Sequence, residues 1–129
     1  MSNVDTIFHF AQGIPGFEQL KEFEFEDIGA EFPMKLMKSV GEQEVSLLVA
    51  SPFIFYPEYE WELAESSKEE LGIANEEDVE VWSIITIPDD PAAATINLMA
   101  PIVLSRTTKQ GKQLILHDQP YNSRAPLNR

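Results

Sequence analysis

The chain has 129 residues, 43% of them hydrophobic and 24% charged, which fits one globular domain with its own core. It contains no cysteine, and this excludes disulfide scaffolds, thiolate metal sites and cysteine nucleophiles. With 22 acidic and 9 basic residues the net charge is −13, which disfavours binding to a phosphate backbone. There is neither an apolar run of membrane-spanning length nor a signal-peptide pattern, so we expect a soluble cytoplasmic protein.

Hydrophobic residues alternate with a period of two along most of the chain, as is typical of half-buried antiparallel strands. In residues 21–28, for example, Phe23 and Phe25 alternate with glutamates. Residues 79–87 are mostly apolar on both faces, which predicts a central strand. We expect about nine short strands. Their predicted ranges are 5–10, 21–28, 34–40, 44–50, 58–63, 79–87, 95–98, 102–106 and 113–117, the last two joined around Gly111.

One short helix is predicted after the fifth of these strands. Ser66 and Ser67 are N-cap candidates, because each is followed three residues later by a glutamate, the spacing of a capping box. Gly72 suits the left-handed position at the end of a helix. The pattern predicts an all-β, mostly antiparallel fold: a small β-barrel-like domain with one short helix. Residues 1–129 contain no repeat or linker, so we expect a single domain.

Acidic residues are concentrated in one stretch of the chain. Residues 58–80, here called the acidic segment, contain ten acids and one base, Lys68. This segment is either a solvated face or a docking surface for a basic protein, since a field of one sign raises association rates and selects partners. Candidate partner contacts within it are Glu58, Glu76, Glu77 and Asp78.

An aromatic segment, residues 53–59, begins before the acidic segment and overlaps its first two residues. Its large side chains include Phe53, Phe55, Tyr56 and Tyr59, and prolines at 52 and 57 place it at an edge or in a bend. It is either a corner of the core or an aromatic ledge for a partner, because tyrosine and tryptophan beside charge are typical of binding hot spots.

Residues suited to catalysis or metal binding are sparse. His9 is expected at the surface, and His117 beside Asp118 is not accompanied by a nucleophile motif. Two histidines without cysteine disfavour a zinc site, and the acidic loops lack the spacing of a calcium loop. The glycines of residues 13–16 precede a strand, which disfavours a phosphate site, and one of them is expected to have positive φ. We therefore expect no catalytic residues, no metal and no cofactor.

Five sequence blocks resemble, in this order, the flagellar assembly factor FliW family. They are Gly-Ile-Pro-Gly-Phe-Glu at 13–18, Ser-Pro-Phe-Ile-Phe-Tyr-Pro-Glu-Tyr at 51–59, Glu-Glu-Asp-Val at 76–79, Thr-Ile-Asn-Leu-Met-Ala-Pro-Ile-Val at 95–103 and Gly-Lys-Gln at 111–113. The fourth block adds Asn97 and Pro101 to the candidate partner contacts. Compared with the family, the chain is expected to lack the usual first strand, and Ser51 and Met99 stand where Asn and Gln are common.

The resemblance implies a non-enzymatic regulator that binds two proteins, flagellin and the RNA-binding translational repressor CsrA. When flagellin is exported, such a factor passes to CsrA and lifts repression of flagellin translation, acting allosterically and away from the RNA-binding surface. No contact with nucleic acid or membrane is implied. Two alternatives remain open. One is a small nucleic-acid-binding module that uses the basic stretch 106–129, and the other is a hydrolase or calcium-binding module.

Overall fold

The structure is a computed structural model that describes residues 7–14, 16–27, 34–41, 45–116 and 120–127. In these residues the strands are β1 (Ile7–His9), β2 (Glu22–Asp27), β3 (Met34–Ser39), β4 (Ser46–Ala50), β5 (Val79–Thr86), β6 (Thr95–Ile96), β7 (Ile102–Ser105), β8 (Gly111–Gln113) and β9 (Ala125–Pro126). The helices are α1 (Pro52–Phe55) and α2 (Glu65–Leu71), with 3-10 turns at Glu76–Asp78 and Pro91–Ala93. Neither these helices nor any other described one has the length and apolar character to cross a membrane.

The named strands pair only in antiparallel ladders, which confirms the predicted fold class. Strands β1 to β5 follow one another in order. β5 also pairs with β7 and β6, and these continue to β8 and β9 respectively. A single bridge between His9 and Gln110 brings the first strand to the start of β8. The sheet therefore curls towards itself but is not closed into a barrel, and the barrel-like part of the prediction was too strong.

Two hydrophobic clusters fill the curled sheet. The first contains two nearly perpendicular phenylalanine pairs, with ring centroids 5.5 Å apart. Phe8 of β1 meets Phe25 of β2, and Phe10, just after β1, meets Phe23 of β2. The second lies beneath α1 and contains Tyr59 together with apolar residues of β5 and β6. The alternation of phenylalanine with glutamate in β2 thus places Phe23 and Phe25 in the core, as predicted.

The predicted strand over residues 58–63 is wrong, because this stretch begins in a turn and joins no ladder. Helix α1 stands just before it and was missed. Pro52 occupies the first turn of α1, where a missing N–H costs nothing. Within residues 58–63, the N–H and the carbonyl of Glu60 bond to the hydroxyl of Tyr121 and not to a neighbouring strand.

The boundaries of α2 also differ from the prediction. Ala64 is the N-cap and has no side-chain cap, so Ser66 and Ser67 lie inside the helix and the capping-box assignment was wrong. The C-terminal assignment was correct, because Gly72 has φ 69°. The expectation of one helix is corrected to two short helices in the described residues.

The last strands are shifted from their predicted positions. Gly111 lies within β8 and not in a turn. A Cβ at this position would come within 2.6 Å of the Phe10 ring, which explains the glycine. The turn falls at residues 106–109, where Lys109 has φ 60°. The two-residue strand β9 was not predicted, and His117 and Asp118 lie outside the described residues.

Candidate protein-interaction site

An open groove of about 910 Å³ lies between residues 60–64 and the start of β5. We call it the acidic groove. Its apolar lining includes Phe53, Tyr59, Trp61, Val79 and Val81, and its acidic lining is Glu60, Glu62, Glu65 and Glu76. The one base in the lining, Lys68, is 3.5 Å from Glu65. The fold thus brings the aromatic and acidic segments together in one cleft.

The aromatic wall of the acidic groove is held by Tyr59, which is only 3% exposed. Its hydroxyl donates to the Leu98 carbonyl at 2.7 Å, and its ring meets that of Tyr121 edge-on at 4.6 Å. Burial raises the pKa of the Tyr59 phenol, and the adjacent Trp61 indole lowers it only in part. Within the described part of the chain, the indole N–H has no acceptor at normal hydrogen-bond geometry. Tyr59 is therefore a protonated, structural donor and offers little surface to a partner.

Two apolar side chains next to this wall face solvent. Phe53 is 43% exposed and Ile54 is 57% exposed, although both belong to α1. The Phe53 ring lies 5.6 Å from that of Tyr59, so it continues the aromatic wall outwards. These two residues are the exposed large apolar side chains of the aromatic segment.

Several predicted contact residues instead hold the fold together. Pro101 is fully buried, and Phe55 and Tyr56 pack against the second cluster. The Tyr56 hydroxyl donates to the carbonyl of Pro126. The side-chain oxygen of Asn97 accepts from the N–H groups of Met99 at 3.1 Å and Ala100 at 3.0 Å.

The acidic candidates occupy different positions. Glu76 and Glu77 are exposed on their 3-10 turn, whereas Asp78 is half-buried. Arg106 fastens this turn to the end of β7, since its backbone N–H donates to the Asp78 carbonyl and its guanidinium donates to the Glu77 carbonyl. Glu58 is exposed and lines a smaller cleft beside Tyr121.

Three of the basic residues near the C-terminus make side-chain contacts within the protein. Arg106 pairs with Glu80 at 3.0 Å, and Lys112 pairs with Glu70. The ammonium of Lys109 lies 5.1 Å from the centre of the Phe8 ring. These three bases therefore form no continuous basic surface in the described chain, and this argues against the nucleic-acid alternative.

The described residues contain no group of three histidine, aspartate or glutamate side chains placed to hold a metal ion. His9 is exposed at the edge of the sheet, as predicted. The acidic groove and the exposed apolar residues of α1 can bind a partner protein through charge and apolar contact.

Comparison with known proteins gives the family. Residues 2–127 match the FliW protein family. The chain belongs to the FliW family of flagellar assembly factors. It is 38% identical over 123 residues to the flagellar assembly factor FliW of Bacillus subtilis strain 168, covering 95% of this chain and 86% of that protein. It is 37% identical over 127 residues to the Thermosipho africanus factor, covering 98% of this chain and 88% of the relative.

A crystal structure of a flagellar assembly factor FliW is similar to the whole chain. The TM-score is 0.92 at 33% identity, and the match covers 100% of this chain and 90% of the other. The resemblance seen in the five sequence blocks is therefore confirmed across the whole fold.

The sequence analysis did not predict several residues that lie in or beside the acidic groove of this FliW-family chain. Val79 and Val81 carry no signal of a site, because valine in a predicted strand indicates only a core. Ile54 and Trp61 lie within the stretches of interest, and their exposure or partial burial depends on packing that the pattern does not specify. Tyr121 acts through a contact 61 positions away.

Proposed function

We propose that this FliW-family chain binds flagellin and the RNA-binding translational repressor CsrA, and antagonises CsrA through an allosteric protein contact. While flagellin accumulates in the cytoplasm it holds the factor. Export of flagellin then releases the factor to CsrA, so that flagellin is translated as it is consumed. The protein acts by binding, without a catalytic step or a cofactor.

The observation that carries the CsrA part of the proposal is the acidic groove. Four carboxylates surround an apolar lining, and the whole chain has a net charge of −13. A field of one sign attracts a basic protein and speeds its encounter, while apolar surface at the centre supplies contact area. CsrA-type proteins present basic surface, so they complement this groove.

Flagellin is expected to use the neighbouring apolar surface. Flagellin termini bind largely by burying the apolar face of a helix, and Phe53 and Ile54 are exposed apolar residues side by side on α1. Phe53 also lines the acidic groove. The two partners would therefore compete for adjoining surface, which fits a factor that passes from one to the other.

Pull-down with purified CsrA and purified flagellin tests the proposal. The wild-type chain should capture each protein separately, and excess flagellin should reduce capture of CsrA. Ile54→Ser should weaken flagellin binding. Ile87→Ser is the matched control, because Ile87 is 53% exposed but does not belong to α1. Failure of the wild-type chain to bind either protein would contradict the proposal, whereas tight binding of generic RNA at low salt would favour the nucleic-acid alternative.

A further inference from the structure

The start of β5 has a strand edge that no strand of the described chain covers. On one side β7 pairs with β5 from Val79 to Trp82. On the other side β4 pairs only with Ser83, Ile84 and Ile85. Among the described residues, the edge opposite β7 is thus unpaired over the first half of β5, although β5 itself lies inside the sheet and not at its margin.

Backbone hydrogen bonds identify the residues that face this open edge. The Asp78 carbonyl accepts the backbone N–H of Arg106, which follows β7, and the Ile84 carbonyl accepts that of Asn97, which follows β6. These two carbonyls therefore point to the edge of β5 that β7 and β6 occupy. Because backbone groups point alternately to the two edges of a strand, those of Val79 and Val81 point to the open side. The Val79 N–H donates to the Glu76 carbonyl. The N–H and carbonyl of Val81 have no partner on that side among the described residues.

The two residues that face the open edge also line the acidic groove. An unpaired strand edge is a template for a further strand. An added strand satisfies the Val81 backbone, whereas a helix, which bonds its own backbone internally, does not. The occupant that fits is therefore an extended segment.

Charge defines the side chains of that segment. The groove presents Glu60, Glu62 and Glu76 beside the apolar surfaces of Trp61 and Val81. Side chains of a strand alternate between two faces, so a segment in which lysine or arginine alternates with apolar residues meets both kinds of lining. An acidic segment would be repelled.

We propose that the acidic groove accepts an extended basic segment of its partner protein, which adds as a strand to the open edge of β5. The identity of the partner rests on the proposed function. The binding mode does not, and it is testable with a peptide alone.

The probe is the blocked peptide acetyl-Lys-Val-Lys-Val-Lys-Val-Lys-amide, and the measurement is amide hydrogen exchange followed by NMR. Saturating peptide should slow exchange of the Val81 amide by about tenfold or more, since a hydrogen-bonded amide exchanges only on opening. Glu80 and Trp82 are internal controls, because their amides face β7. Their exchange should not change.

Two matched comparisons separate strand addition from simple charge attraction. A peptide N-methylated at every residue keeps its charge and side chains but has no backbone N–H group left for a ladder on either edge, and it should bind at least about tenfold more weakly. Glu62→Gln should weaken binding of the parent peptide more than Glu22→Gln, a change of equal charge at an exposed residue outside the groove.

Equal affinity of the two peptides, or unchanged exchange at Val81 when the peptide is bound, would overturn strand addition. Those outcomes leave CsrA capture by the wild-type chain untouched. A failed pull-down, in turn, would reject the proposed function whatever the peptide does, so the two failures are distinguishable.

Discussion

Two glycines shape the turn that leads from β1 to β2. Gly13 has φ 65° and Gly16 has φ 90°, so the expectation of positive φ is confirmed at both. Their surroundings differ. A Cβ on Gly13 would lie 2.6 Å from the Glu18 Cα, whereas a Cβ on Gly16 would meet nothing within 4 Å. One site therefore combines backbone strain with a steric clash, and the other has strain alone.

Gly16→Ala should lower the free energy of unfolding by about 1–2 kcal/mol, the cost of a left-handed conformation in an L-residue. Gly13→Ala should cost more, because the Glu18 backbone must move as well. Urea unfolding of both variants checks the order. Equal losses, or a larger loss for Gly16→Ala, would contradict this explanation of the turn.

The Glu18 side chain closes the same turn by accepting the Gly16 N–H at 3.1 Å. Hydrogen bonds from the backbone N–H groups of Glu18 and Gly16 lower the pKa of its carboxyl. The stabilisation is present above the ordinary pKa of a glutamate and is lost as the pH falls through the lowered pKa. Carbon-13 NMR titration should give a pKa below the ordinary glutamate value. An ordinary or raised pKa would show that the carboxylate does not hold the turn.

Asn97 braces the chain between β6 and β7, and its replacement separates structure from binding. Asn97→Ala leaves the N–H groups of Met99 and Ala100 without their acceptor, and should lower the free energy of unfolding by about 1–3 kcal/mol. Asn97→Asp retains an acceptor oxygen and should lose less. Thermal unfolding and CsrA binding are measured on both variants. Lost binding by a variant of normal stability would instead make Asn97 a partner contact.

Among the secondary-structure elements, alternation predicted the strands whose neighbours lie on both sides. In β2, Phe23 and Phe25 are buried and the glutamates between and beside them are not, so its period of two directly reflects burial. Residues 58–63 carry the same alternation without forming a strand, because Tyr59 turns into the second cluster while the backbone of Glu60 bonds to a side chain. Alternation reports which side chains are buried, and a partner strand is a property of the tertiary fold.

The candidate site was predictable only in part, for the same reason. The adjacency of the aromatic and acidic segments along the chain is enough to indicate a binding surface. The exposure of Phe53, the burial of Pro101 and the open edge at Val81 depend on how distant elements pack. Helix α1 is four residues long and rich in phenylalanine, so it is too short to show the hydrophobic period of a helix.

Tyr121 is expected to hold residues 60–64, which form one side of the acidic groove, in place. Its hydroxyl donates to the Glu60 carbonyl at 2.7 Å and accepts the Glu60 N–H at 2.9 Å. Tyr121→Phe removes both bonds and should cost about 1–2 kcal/mol, with faster exchange of the Glu60 amide. Tyr56→Phe, which removes a hydroxyl bonded to Pro126, is the control and should leave that amide unchanged. Unchanged exchange at Glu60 in Tyr121→Phe would contradict the anchoring role.

Across the molecule as a whole, the antiparallel scaffold segregates charge. Bases near the C-terminus pair with Glu70 and Glu80, which leaves Glu60, Glu62 and Glu76 to line the groove. Fields of this kind reach about 8 Å at physiological ionic strength, so they act mainly on the encounter between proteins. Charge near the groove should therefore matter more to CsrA binding than net charge does.

The association rate with CsrA, measured over a range of salt concentrations, distinguishes local charge from net charge. The test variant carries Glu76→Lys, Glu77→Lys and Asp78→Lys, and the control carries Glu22→Lys, Asp27→Lys and Asp89→Lys. Both add six units of positive charge. None of the six residues belongs to either buried cluster, so melting temperatures should stay near that of the wild type.

We expect the test variant to associate with CsrA at least about tenfold more slowly than the control and to have a flatter salt dependence. Its dissociation rate should change less, and flagellin binding should change less than CsrA binding. Equal association rates and equal salt slopes for the two variants would contradict a docking role for the acidic segment, because the turn at Glu76–Asp78 would then be an ordinary solvated surface.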